Sequence, residues 1–246
     1  LISSLSGDRP ECGSLRPAEM NSLRSDSLRH LSEVLERCPA LGEVAPAIQA
    51  AAEAICACHR AGGKVLVCGN GGSAADSDHI VGELAKGFVL RRAIPADDAA
   101  RIRQAAPGDE TLATVLAGKL QSGVAAISLA GHPALASAID NDTGREMIFA
   151  QQVYVYGRPG DILLALSTSG SSGNILRALT VARAFGVRTI GLTGSRVGAM
   201  DPLCDIVIKT PGTETHKIQE LHLPIYHTIC LLVEQELFGT TSKDAE

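Results

Sequence analysis

The chain has 246 residues, 45% of them hydrophobic, with 22 Lys+Arg against 27 Asp+Glu and a formal net charge of −5. That is enough for one α/β domain with a substantial core and cramped for two, and the acidic balance argues against a nucleic-acid surface, which is usually basic. An odd count of seven scattered cysteines argues against a disulfide framework and for a reducing cytoplasm, while the apolar runs fall short of a membrane span and no leader pattern opens the sequence.

Residues 1–20 mix Ser, Gly, Pro and charges without periodicity and predict a flexible lead-in; a single domain then occupies 21–240. Leu23, Leu28, Leu31, Val34 and Leu35 predict a helix from Asn21 to Cys38, and a second runs from Ile48 to Ala61. Lys64–Cys68 is a short strand, Gly69–Gly72 a turn, and Ser73 opens a helix. Gly69-x-Gly71-x-x-Ala74 satisfies the relaxed dinucleotide fingerprint, but no acidic residue stands clearly about twenty residues on, so NAD is the lesser reading. On the new helix His79 and Glu83 are four apart and share a face. Such a pair is often only a surface contact; here it lies near the carboxyl edge of a parallel sheet, where ligands bind.

Residues 91–122 are charged, Ala-rich and broken by Pro95, Pro107 and Gly108, which predicts an insertion with surface helices at Asp97–Ala105 and Glu110–Gln121. A strand at Gly123–Leu129, a helix or turn at Ala134–Asn141, a helix at Ile148–Tyr156, and a strand at Asp161–Leu166 follow. That strand runs into Ser167-Thr168-Ser169-Gly170-Ser171-Ser172-Gly173, hydroxyls beside free backbone N–H groups at a helix start. A cap needs one or two hydroxyls; five in six residues predict an anion site, most simply a monophosphate ester, since no Walker lysine is present.

A helix at Asn174–Phe185, strands at Arg188–Leu192 and Asp205–Ile208, and a long amphipathic helix at Glu214–Phe238, interrupted at Pro224, complete the chain. Strands alternating with helices predict a doubly wound parallel sheet of about five strands, flavodoxin-like, with N-terminal helices and a long C-terminal one. Gln219 and His227 are two turns apart on the last helix and can point into one pocket. His227 taken alone reads equally as a structural histidine.

Together CGNGGSAADSDH, GELAKGF, STSGSSGN and KIQELHLPIYH resemble, in order, the sugar isomerase (SIS) domain of the sedoheptulose 7-phosphate isomerase (phosphoheptose isomerase) family. The resemblance implies an aldose–ketose isomerase acting on sedoheptulose 7-phosphate or a related seven- to eight-carbon ketose phosphate, in a homotetramer with shared active sites. It implies Glu83 as the base, His227 as its acid partner, and phosphate contacts from Ser167, Ser169 and Ser172. Thr168 would stand near the reacting end, with Asn70, Gly71 and Ser73 on the sugar side and Gln219 among the substrate contacts. His79, Glu83, Gln219 and His227 would ligate Zn2+ where metal is present, two nitrogens and two oxygens being an acceptable zinc set. The chain departs from the family pattern at His132 and His216, each standing for a usual aspartate, and Lys86 is the nearest cation where an arginine is usual. A non-catalytic SIS module that binds a sugar phosphate is the alternative.

Overall fold

The structure, a computed structural model, describes residues 22–239; the expected flexible segment 1–20 lies outside the described residues. Strands β1 (Val65–Cys68), β2 (Ala126–Ser128), β3 (Ile162–Ser167), β4 (Arg188–Gly194) and β5 (Ile206–Thr210) form one parallel sheet in the order β2-β1-β3-β4-β5. Among the described residues, nine helices connect or flank them: α1 (Ser25–Arg37), α2 (Ala45–Arg60), α3 (Gly72–Ala85), α4 (Ala96–Ala105), α5 (Glu110–Lys119), α6 (Pro133–Thr143), α7 (Ile148–Tyr156), α8 (Gly173–Ala184) and α9 (Thr215–Phe238).

Every residue of β1 and β3 is buried, because helices cover both faces of the sheet. Successive side chains go to opposite faces. Val65 and Val67 join a core with Ile48 and Ile55 of α2 and Ile225 and Ile229 of α9. Leu66 and Cys68 join the other, with Phe149 of α7 and Ile175 and Leu179 of α8. The strand order reverses direction at β1 and β3, so the crevice beyond their carboxyl ends is the place where this topology binds ligands.

Three expectations change. The last helix is not interrupted at Pro224: α9 runs through it. Pro224 lacks the N–H that would bond back one turn, at a cost of about 3 kcal/mol; buried Ile218, His222, Ile225 and Tyr226 hold both flanking turns in place. The strand expected over Gly123–Leu129 shrinks to three residues, because Gly123 packs on Ala85 and the Val124 N–H donates to the Leu84 carbonyl at 2.9 Å. Finally, Pro39–Arg60 is long and apolar enough by composition alone to cross a membrane, but half of it is buried inside the domain, where α2 packs on α9.

His222 of α9 is fully buried, with its ring against the Thr193 backbone. Burial pushes its pKa down from 6.5 to about 4. The unfolded chain therefore binds the extra proton first on acidification. Its neutral form contributes stability that is complete above about pH 6.5 and lost as pH falls toward 4, about 3 kcal/mol in all. Urea unfolding at pH 7 and pH 4.5 should show this loss, and His222→Leu should flatten it; an equal slope in the variant would assign the acid sensitivity elsewhere.

Candidate active site

The loops after β1 and β3 enclose a cavity of about 390 Å³, lined by Asn70, Gly71, Gly72, Ser73, Ser167, Thr168 and Ser172, with Thr215 and Gln219 from the start of α9. The first loop depends on glycine. A Cβ on Gly69 would stand 2.4 Å from the Ser73 carbonyl oxygen, and Gly71 has φ +56°. Ser167 and Ser172 hydroxyls lie 3.2 Å apart across the second loop. α3 and α8 both start here, so their positive ends suit an anion, although the Ser73 and Ala74 N–H groups already donate to the Asn70 and Gly71 carbonyls and the Ile175 N–H to the Asn174 side chain.

Ser169 takes a different position. Its hydroxyl accepts the Ser171 N–H at 3.2 Å, and it lines a neighbouring cavity with Thr168. Asn174 stands at the start of α8, and its amide pairs reciprocally with that of Asn70, at 2.8 and 3.0 Å. This brace ties the two loops together. The STSGSSGN motif contained the residue; nothing in the sequence showed its cross-loop partner.

α3 and α9 lie side by side and run parallel. Gln219 abuts Gly72 at the start of α3, and two turns further on His227 meets His79, their Nε2 atoms 3.3 Å apart. His79 Nε2 is also 3.3 Å from Glu83 Oε1, and the other Glu83 oxygen pairs with Lys86 at 3.2 Å. Behind His79, Nδ1 lies 3.0 Å from the Tyr226 hydroxyl, which donates to Asp76 at 3.2 Å. Phe88 covers His227, with ring centroids 5.2 Å apart. Burial, helped by His79, lowers the His227 pKa, so a neutral imidazole is available near neutral pH. Burial raises the Asp76 pKa, while Tyr226 and His79 act against that rise.

The donor chemistry of His79, Glu83 and His227 fits zinc. Ligand atoms about 2.0–2.1 Å from a tetrahedral ion stand about 3.4 Å from one another, close to the two 3.3 Å separations here. Among the described residues no three His, Cys, Asp or Glu side chains already surround one metal position. The His79 and His227 rings stand edge to face at 84°, so closing around an ion takes side-chain rotation. Gln219, the fourth residue expected in that set, sits at the loop cavity instead.

His132 occupies the N-cap position of α6 beyond the edge strand β2, with its ring 6.3 Å from that of Tyr156, and neither it nor Lys86 lines the loop cavity. His216 is exposed in the first turn of α9.

One element of the site was not legible in sequence. Buried Glu234 of α9 accepts the N–H groups of Phe88, Val89 and Leu90 at 2.7, 2.9 and 3.1 Å, and the Arg92 guanidinium at 2.8 Å. Arg92 in turn donates to the Leu84 and Glu83 carbonyls at 2.8 and 3.1 Å, closing the end of α3 that carries Glu83. Burial works to raise the Glu234 pKa; the Phe88 and Val89 amides and Arg92 outweigh it, leaving the carboxyl below its ordinary value.

A parallel sheet with a hydroxyl-lined cavity at its switch point and a carboxylate–imidazole cluster beside it defines a sugar isomerase type of domain, and the sequence matches the SIS domain family over residues 29–117 and 113–194. The phosphoheptose isomerase of Rhodospirillum rubrum is 42% identical over 197 residues, 80% of this chain and 89% of that protein. Phosphoheptose isomerase 2 of Campylobacter jejuni is 40% identical over 74% of this chain and 76% of its own length. Among solved structures, the phosphoheptose isomerase of Francisella tularensis superposes with a TM-score of 0.64 at 33% identity, covering 85% of this chain and 98% of that one. That of Neisseria gonorrhoeae gives 0.60 at 30% identity, covering 85% and 93%. This chain belongs to the phosphoheptose isomerase family.

Proposed function

We propose that the protein is an aldose–ketose isomerase of a heptose phosphate, converting sedoheptulose 7-phosphate or a related seven- to eight-carbon ketose phosphate through an enediolate. The observation that carries this reading is the meeting of Glu83 and His227 at His79 Nε2, on the helices that also border the loop cavity. A module that only binds a sugar phosphate has no need of that cluster.

In this mechanism the Ser167–Ser172 loop and the amides at the starts of α3 and α8 grip the phosphate. Glu83 removes the proton from C1 of the ketose and returns it to C2. His227, neutral because its pKa is lowered, carries the proton exchanged between the oxygens on C1 and C2. Zinc, if present, would be held by His79, Glu83 and His227 and would supply positive charge that stabilises the enediolate oxygens. Lys86 holds the second Glu83 oxygen.

A cytoplasmic homotetramer with shared sites belongs to the same reading. Leu112, Val115, Leu116 and Leu120 expose an apolar stripe on and just after α5, a surface of the kind assembly buries. The test is turnover of six- to eight-carbon ketose phosphates in D2O, with deuterium followed at C2. Binding of these compounds without turnover or exchange would favour the non-catalytic module.

A further inference from the structure

The environment of His79 contains a hydrogen-bond chain whose direction is set at its far end. Tyr226 is buried to 1% exposure, and its hydroxyl lies 3.2 Å from the Asp76 carboxylate and 3.0 Å from His79 Nδ1. A phenol has one proton to donate. A carboxylate can only accept, and a bond to a charged acceptor is roughly twice as strong as a neutral one. The Tyr226 proton is therefore spent on Asp76, and the Tyr226 oxygen is left to accept from His79. That requires the proton of a neutral His79 ring to sit on Nδ1. Nε2 then carries a bare lone pair, aimed at Glu83 Oε1 and His227 Nε2, each 3.3 Å away.

The opposite arrangement is worse. If His79 carried its proton on Nε2, that proton would go to Glu83, which already has Lys86 as a partner, but Tyr226 would have to turn its hydroxyl to Nδ1, and the half-buried Asp76 would lose its phenol partner. A bare Nε2 beside a carboxylate also has a chemical meaning: two acceptors 3.3 Å apart are held together comfortably only by a cation or a shared proton between them.

We infer that Asp76 and Tyr226 are positioning residues that fix His79 in the Nδ1–H tautomer and so present Nε2 as a lone-pair donor to the Glu83–His227 cluster. Neither residue touches the reacting atoms. Their role is to set which His79 nitrogen faces the site, as an outer partner does for a metal-ligating histidine. The inference rests on the proposed function for its consequence; the tautomer itself does not depend on that function.

The test is 15N side-chain NMR of the metal-free protein at neutral pH, together with zinc affinity measured by competition with a chromophoric chelator. Wild type should show His79 protonated at Nδ1. Tyr226→Phe, which keeps the ring and its packing, should move the proton to Nε2 and weaken zinc binding by about 10–100-fold. Asp76→Ala should shift the tautomer in the same direction, because Tyr226 is then free to donate to Nδ1, and it guards against a folding defect peculiar to the tyrosine variant. A Tyr226→Phe protein with the wild-type tautomer overturns the inference and leaves the isomerase reading intact. Wild type that shows the Nδ1–H tautomer yet turns over no ketose phosphate removes the isomerase reading and supports the inference.

Discussion

Glu83→Gln is expected to reduce isomerisation, and deuterium exchange at C2, by about 10²–10⁴-fold, the range contributed by a positioned general base. The amide keeps the shape of the side chain and its place on α3, but it cannot take up the C1 proton. Inorganic phosphate should still bind with wild-type affinity, because Glu83 does not line the cavity between the two loops. Loss of the Lys86 partner should matter little to stability, since exposed pairs are worth about 0–1 kcal/mol. Kinetics in D2O and calorimetry with phosphate separate the two effects. Exchange at the wild-type rate would remove Glu83 from the base role, and a parallel loss of phosphate binding would point to a collapsed site.

Arg92→Ala carries the largest expected cost in stability. The guanidinium is fully buried against Glu234, lies over the Phe238 ring with 4.6 Å to the centroid, and caps two carbonyls at the end of α3. Removing it leaves a buried carboxylate without its countercharge, which typically costs about 3–5 kcal/mol. For a domain of this size that corresponds to about 6–20 °C in Tm. Activity should fall as well, because the turn that carries Glu83 loses its anchor. Arg92→Lys should recover only part of the stability, since one ammonium cannot match a planar fork of five donors. A thermal midpoint for Arg92→Ala within a degree of wild type would show that Glu234 is held by its three backbone amides alone.

These residues also show what a sequence can and cannot reveal. Strand and helix order were readable because buried strands such as Ile162–Ser167 end abruptly in Ser- and Gly-rich turns, and because helical periodicity is local. The cavity between the two loops was readable for the same reason: Asn70–Ser73 and Ser167–Ser172 each lie within a few residues of a strand end. Partnerships between distant segments were not. Arg92 looked like part of a charged stretch between units, and only the fold reveals Glu234, 142 residues away. Asn174 and Asn70 are separated by 104 residues, and Tyr226 by 150 from Asp76. Single polar residues carry no periodic signal, so their pairing emerges only once the helices are packed. The interruption expected at Pro224 failed for a related reason, because local propensity yields to burial on both sides.

The parallel course of α3 and α9 has one more consequence. Gln219 stands at the loop cavity and His227 beside His79 and Glu83, and both belong to a single helix. Eight residues of helical rise, about 12 Å, set the distance between them, and no loop can shorten it. If the substrate lies along this helix, the protein carries a rigid gauge: a triose phosphate gripped at one end stops short, while an open seven-carbon chain has the reach.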